Sequence, residues 1–286
     1  MNEHQISLVV LSRDRVDELL MTLERSRQLP ERPPVLVVDN GSSDGSPARI
    51  ADRYPEVRVI SLHENLGAAA RNLGVRAAAT PYVAFADDDS WWKEGALARA
   101  VQTLEENPSV ALIAARVLVG EEERIEPTCE LMAASPLPAA AGLSAPRILG
   151  FVACGAVVRR EAFLQAGGFH PRFGVGGEEA LLATDLSRLG WDLVYDERLV
   201  AHHHPSPRRD RRERRAIQAR NDLWFAWLRR PLRRASATTA RTGLKALRDP
   251  AVASGCLRAV AGLRWVVAQR RVVPPALAAD LDRLEA

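Results

Sequence analysis

Cysteine is scarce: Cys129, Cys154 and Cys256 are the only three in 286 residues, odd in number and far apart. That excludes a disulfide framework, and with no Cys-x-x-Cys pair the common zinc and redox spacings are excluded too, so a reducing compartment is expected. No run of 18 apolar residues occurs, since even the Ala-rich stretch 131–145 is broken by Pro136, Pro138 and serines; no membrane-spanning helix is expected. The N-terminus has charges on both sides of a short apolar run and no small-residue cleavage site, which reads as a first strand rather than a signal peptide and implies a cytoplasmic location. Glycine and proline, 18 of each, are too few and too scattered for a disordered or fibrous chain. Lys93 and Lys245 are the only lysines, a skew that with the abundance of alanine fits coding bias. At this length, 47% hydrophobic and 26% charged residues suffice to bury a core without crosslinks.

The formal charge of +3 conceals an asymmetry: residues 1–200 carry 20 basic and 29 acidic side chains, residues 201–286 carry 19 and 7. The acidic front argues against a chain that coats nucleic acid, and the basic tail suggests an anionic partner, a phospholipid surface or a polyphosphate.

Short β-branched runs alternate with amphipathic stretches through the first 120 residues, the pattern of a mostly parallel sheet with crossover helices, hence an α/β class. Strands are expected at 6–11, 35–38, 57–61, 82–86, 110–119, 151–158 and 191–195, with helices at 16–28, 46–54, 67–79, 94–106, 161–166 and 178–189. The stretch 120–147 loses periodicity and reads as a variable loop on the partner side. Beyond about residue 205 only helices are expected. The organisation read from this is a catalytic unit 1–205, with a nucleotide-binding half 1–119 and an acceptor-side half 120–205, followed by a basic helical extension 206–286.

Two acidic clusters fall at strand ends, where open α/β sheets bind ligands. Asp39 closes an all-apolar strand and leads into Asn40-Gly41-Ser42-Ser43-Asp44-Gly45-Ser46, a turn able to hold a heterocycle or ribose, or merely to cap the next helix. Asp87-Asp88-Asp89 crowds three carboxylates into one turn, which a hard divalent cation or solvent would neutralise. Trp91 and Trp92 follow at once, and aromatic faces at a cleft pack on sugar rings. Gly177-Glu178-Glu179 opens a helix with two acids that either complement its dipole or supply a general base. His202-His203-His204 is an exposed loop run or a completing ligand for a carboxylate-bound cation.

Taken in order, these blocks resemble the bacterial family 2 glycosyltransferases, rhamnosyltransferase-like members included, from residue 6 to about 205. The resemblance is carried by Ser12-Arg13-Asp14-Arg15, Val38-Asp39-Asn40-Gly41-Ser42-Ser43-Asp44-Gly45, Asn65-Leu66-Gly67, Arg71-Asn72 and Phe85-Ala86-Asp87-Asp88-Asp89. Gly155-Ala156-Val157-Val158-Arg159-Arg160, Gly167-Gly168-Phe169, Gly177-Glu178-Glu179, Gly190-Trp191 and the histidines complete it. It implies a GT-A fold and inverting transfer of a sugar from a UDP-, dTDP- or GDP-linked donor to an acceptor glycan or lipid-linked saccharide, with Mn²⁺ or Mg²⁺. Ser12, Arg13, Asp39, Asn40, Asn65, Arg71, Asp87 and Asp88 then lie on the donor side. Asp89, Asp87 and His202 would hold the metal, and Trp91, Trp92 and Gly177 would face the acceptor. Glu179 is the expected base, with Glu178 in reserve. Leu181 and Asp185 depart from the family pattern, standing where a second acid and an arginine are common.

In the tail, arginines interleaved with Trp224, Phe225 and Trp227 suit either a helix on an anionic membrane surface (206–233), at the inner face of the membrane, or aromatics packed on the catalytic unit. A sugar-phosphate nucleotidyltransferase is disfavoured because no glycine follows the first strand. A nucleic-acid binder leaves the acidic strand tips unexplained, and a dehydrogenase lacks Gly-x-Gly-x-x-Gly.

Overall fold

The computed structural model describes residues 4–139, 142–205 and 211–285. Its first half comprises β1 (Ile6–Ser12), α1 (Val16–Arg27), β2 (Val35–Asp39), α2 (Ser46–Arg53), β3 (Arg58–Ser61), α3 (Arg71–Ala77), β4 (Tyr82–Asp87), β5 (Ser90–Trp92), α4 (Ala96–Glu106) and β6 (Val110–Val119). β7 (Arg124–Ile125), α5 (Pro127–Ala133), β8 (Ala156–Arg159), α6 (Arg160–Gln165), α7 (Glu178–Arg188) and β9 (Asp192–His203) follow. The chain closes with α8 (Arg211–Arg229), α9 (Leu232–Ala246), α10 (Pro250–Ala261), α11 (Leu263–Ala268) and α12 (Pro275–Leu284).

Among the described residues, all nine strands join one sheet in the order β3-β2-β1-β4-β8-β6-β9-β5, with β7 paired to β6. β1, β2, β3 and β4 run parallel, as the alternating pattern of the first half requires, and β6 is parallel to β9. β8 enters antiparallel to both β4 and β6, and β5 antiparallel to β9, so the whole sheet is mixed. Leu36, Val37 and Val38 of β2 are all buried because helices cover both faces. On α1, Val16, Leu19, Leu20 and Leu23 recur at helical spacing and form its buried stripe. α3 lies so close to the sheet that a β-carbon on Gly74 would come 2.5 Å from the Val9 side chain.

The stretch 120–147 is more ordered than its composition suggests: β7 makes a hairpin with β6, and Cys129 and Met132 of α5 enter the core. β9 is much longer than the expected strand 191–195 and runs through the histidines.

The C-terminal helices pack onto the sheet domain. Phe173 and Leu181 form one apolar cluster with Leu223, Trp224, Leu228, Ala259 and Val266, and Leu137 and Leu149 form another with Val273, Leu277 and Leu281. Trp224 is 7% exposed and its indole N–H donates to the Ala259 carbonyl at 3.0 Å. Of the two readings of the tail aromatics, Trp224 therefore takes the inward one, packed on the catalytic unit. Arg208, Arg209 and Asp210 of the basic run lie outside the described residues.

Candidate active site

The parallel register sets three polar residues side by side at one edge: Ser12 pairs with Asp39 and Leu11 with Asp87, so the tips of β1, β2 and β4 share a rim. They border an open cleft of about 550 Å³, which is also reached by Glu178 and Glu179 from α7, Cys154, and Arg214 from α8.

Asp39 is buried, and its Oδ1 accepts no hydrogen bond from a described residue. Such an oxygen is costly unless a ligand donor meets it. Asn40 and Asn65 fix the neighbouring loop: the Asn40 amide donates to Asn65 Oδ1 at 2.8 Å and its Oδ1 accepts from the Leu66 N–H at 2.8 Å. Arg13 is half exposed at the rim, its guanidinium 3.4 Å from Asp14 and its backbone N–H donating to Asp88.

The Asp87-Asp88-Asp89 turn is tight because β5 starts at Ser90 and pairs back on β9, Ser90 opposite His203. Arg15 reaches both Asp88 and Asp89 at 3.1 Å. Burial and the adjacent Asp89 charge push the Asp88 carboxyl up to about 7 in spite of Arg15. Arg71 is 5% exposed and ion-paired with Asp87.

Across the cleft, Gly177 with φ +86° turns the chain into α7, a left-handed conformation that glycine adopts without strain, and delivers Glu178 and Glu179 at the helix start. The preceding loop is held from the tail. Asn221 donates to the Phe173 and Gly176 carbonyls, and Arg220 to the Phe173 carbonyl at 2.7 Å. Burial, then the charge of Glu178, push the Glu179 carboxyl up to about 8; burial raises Glu178 as well. The pair thus holds a proton near neutrality, with Arg71 close enough to temper both charges.

The histidine assignment needs correction. In a strand, neighbours face opposite sides, and His203 is the residue turned to the cleft, its Nε2 3.3 Å from Asp89 Oδ1. His202 points away, 3.3 Å from Glu123 and stacked on Trp91 with ring centroids 5.5 Å apart. The tryptophans are corrected as well. Trp91 lies between His202 and the Arg25 guanidinium, 4.0 Å from its ring centroid, and Trp92 is in the core with its N–H on the Phe85 carbonyl. At 7% and 2% exposure neither borders the cleft, because β5 is the edge strand of the sheet, packed against α1, and not a loop.

The two departures from the family pattern have structural partners. Leu181 packs in the cluster with Trp224, and Asp185 receives a two-pronged pair from buried Arg229, both contacts 2.7 Å. They seat the C-terminal helices on α7.

A family model for glycosyl transferase family 2 matches residues 7–166, more than half of the chain. This chain belongs to that family. An N-acetylglucosaminyl-diphospho-decaprenol L-rhamnosyltransferase of Mycobacterium tuberculosis is 27% identical over 245 residues, covering 71% of this chain and 80% of the relative. Among solved structures, the mannosyltransferase PcManGT of Pyrobaculum calidifontis, in complex with GDP-Man and Mn²⁺, aligns over 98% of this chain and 86% of its own at 20% identity and a TM-score of 0.62. GalNAc-T7 with UDP, GalNAc and Mn²⁺ aligns over 79% of this chain and 48% of its own at 14% identity and a TM-score of 0.60. The fold is GT-A, and the enzyme is a glycosyltransferase.

The donors at the tips of β4 and β9 suit a divalent cation. Ligand atoms of Asp87, Cys154 and His203 lie within 4.8 Å of one another, and Asp89 adjoins His203. Two carboxylates and an imidazole fit Mn²⁺ chemistry. The sequence points to no site role for Arg15, Cys154 or Arg214, and within the histidine run it favours His202 over His203. Strand alternation is the signal that separates His203 from His202, whereas nothing local marks Cys154 or Arg214.

Proposed function

We propose that this glycosyltransferase transfers a sugar from a nucleoside diphosphate to a hydroxyl of a lipid-diphosphate-linked saccharide, with inversion. The observation that supports this is the convergence of two sets of acids on one cleft: Asp87 and Asp89 with His203 from β4 and β9, Glu178 and Glu179 from α7. Asp39, Asn40 and Ser12 form the base and ribose end, where the unpartnered Asp39 oxygen accepts a base N–H. Asp87, Asp89 and His203 would hold the cation, and the imidazole nitrogen favours Mn²⁺ over Mg²⁺. Such a cation neutralises the charge that develops on the leaving diphosphate, so no general acid is needed. Glu179, its carboxyl raised toward neutrality, accepts the proton of the attacking hydroxyl, and Glu178 and Arg71 hold it in register. The diphospho-decaprenol acceptor in the name of the mycobacterial relative supports this acceptor class, and a lipid-borne acceptor supports peripheral association at the inner face of the membrane. No helix among the described residues is long and apolar enough to cross one.

Calorimetry with UDP, dTDP and GDP, each with and without Mn²⁺ or Mg²⁺, tests the reading on wild type and Asp89→Ala. Metal-dependent binding of one nucleotide, lost in the variant, is expected and identifies the donor class. Absence of metal-dependent nucleotide binding in the wild type would overturn it.

A further inference from the structure

The cleft holds a sulfur that the transfer reaction does not use. Cys154 sits in a single 3-10 turn (Ala153–Gly155) just before β8, over the ends of β4 and β9. Those two strands end in Asp87 and His203, so three elements deliver a carboxylate, a thiol and an imidazole to one point at the cleft floor. Their ligand atoms all lie within 4.8 Å of one another. Ligands bound at about 2.0–2.3 Å to one cation can stand up to about 4.6 Å apart, so small side-chain adjustments bring all three onto a shared ion. Cys154 is 3% exposed and borders the cleft, whereas Cys129 is buried against β6 and Cys256 lies in the tail cluster.

A hard cation such as Mg²⁺ gains little from sulfur, and Mn²⁺ only slightly more. A carboxylate–thiolate–imidazole set is the donor chemistry of Zn²⁺, Co²⁺ and Cd²⁺. We propose that Cys154 is a conditional metal ligand, which makes the cation site of this transferase accept thiophilic divalent ions through a sulfur–metal bond. On binding, the S–H bond breaks, the S–metal bond forms, and the proton passes to solvent. This rests on the reading of Asp87 and His203 as cation ligands; only the sulfur is new.

Cobalt titration followed by absorbance tests it in wild type, Cys154→Ser, Cys154→Ala and the control Cys256→Ser. Wild type and Cys256→Ser are expected to show both the visible bands of bound Co²⁺ and a sulfur-to-cobalt charge-transfer band in the near ultraviolet. Both Cys154 variants should keep the visible bands and lose the charge-transfer band. Competition between Cd²⁺ and Mn²⁺ gives a second readout: the preference for Cd²⁺ should fall on the order of tenfold or more in Cys154→Ser. Co²⁺ bound to the wild type without the charge-transfer band, the band persisting in the Cys154 variants, or an unchanged Cd²⁺ preference would each overturn the sulfur ligand while leaving the cation site standing. Failure of wild type to bind either Co²⁺ or Mn²⁺ would remove the cation site and the proposal together. Cys154→Ala, which buries no new polar atom, guards against a folding defect in the serine variant.

Discussion

His202 and His203 differ by one position and by their surroundings. His203 adjoins Asp89 at the cleft, while His202 stacks on Trp91, and burial lowers its pKa. His203→Ala should weaken Mn²⁺-dependent nucleotide binding by on the order of tenfold or more. His202→Ala should leave that binding within about twofold in calorimetry and lower Tm instead. Glu179 is the other residue whose chemistry follows from its setting. Replacing it by Gln should cut kcat by about 10²–10⁴ with little change in donor KM. Acting as the proposed base requires a deprotonated Glu179, so wild-type kcat/KM should rise with pH and level off near the raised value of about 8. The same shift has a stability consequence of opposite sign. A carboxyl whose folded pKa is raised from 4.5 stabilises the fold at low pH and loses that contribution as pH climbs through about 8. Each pH unit crossed between the two values costs about 1.4 kcal/mol at most, because Glu178 shares the proton. Wild-type Tm should therefore decline between pH 5 and 9, and Glu179→Gln should flatten the decline; a pH-independent difference in Tm would contradict the shared proton.

At the scale of elements, the early strands were legible because they are short apolar runs, and β2 and β4 are closed by an acid, so Asp39 and Asp87 could be placed at strand tips from spacing alone. β9 was not, because Asp196-Glu197-Arg198 interrupts its apolar pattern. In the fold Ala115 pairs with Asp196 and Arg116 with Val200, so the ladder skips the intervening residues and resumes through the histidines. A bulge that turns a strand edge hides the continuation from any count of alternating residues. β5 is three residues long and equally invisible, which is why the tryptophans read as cleft residues. The loop before α7 draws its rigidity from a distant element, α8, through Asn221 and Arg220. Asn221→Ala removes a buried amide that serves two carbonyls, at a cost of about 1–3 kcal/mol, and lets the glycines before Glu178 wander. Steady-state kinetics should show kcat reduced about tenfold or more with donor KM nearly unchanged, and an unaltered kcat would mean that the loop holds its shape without the tail.

For the whole molecule, the basic balance of the last 86 residues reads in sequence as a surface for an anionic partner, but much of it turns inward. Arg229 and Arg230 are buried, Arg229 on Asp185 and Arg230 on Asp282 and Glu285, while Arg270 donates to backbone carbonyls of α8 and of the residue after it. Arg147 reaches out of the 120–147 stretch to Asp280 of α12, so the extension is tied to the sheet domain at both ends. Sequence could not show this, since an arginine bound for a buried carboxylate and one bound for solvent look alike. Asp185 is the clearest case: it departs from the family pattern, and its partner lies 44 residues downstream. Removing one member of a buried pair leaves the other charge without compensation, at about 3–5 kcal/mol, whereas replacing both with apolar residues of similar size is often neutral. Arg229→Met alone and Asp185→Leu alone should each lower Tm markedly and reduce kcat, because α8 then slips from α7 and the glycine loop loses its anchor. The double variant should recover most of both. Recovery of Tm without recovery of kcat would mean that the pair serves stability alone, and that the extension buttresses the cleft through Asn221 and the Trp224 cluster instead.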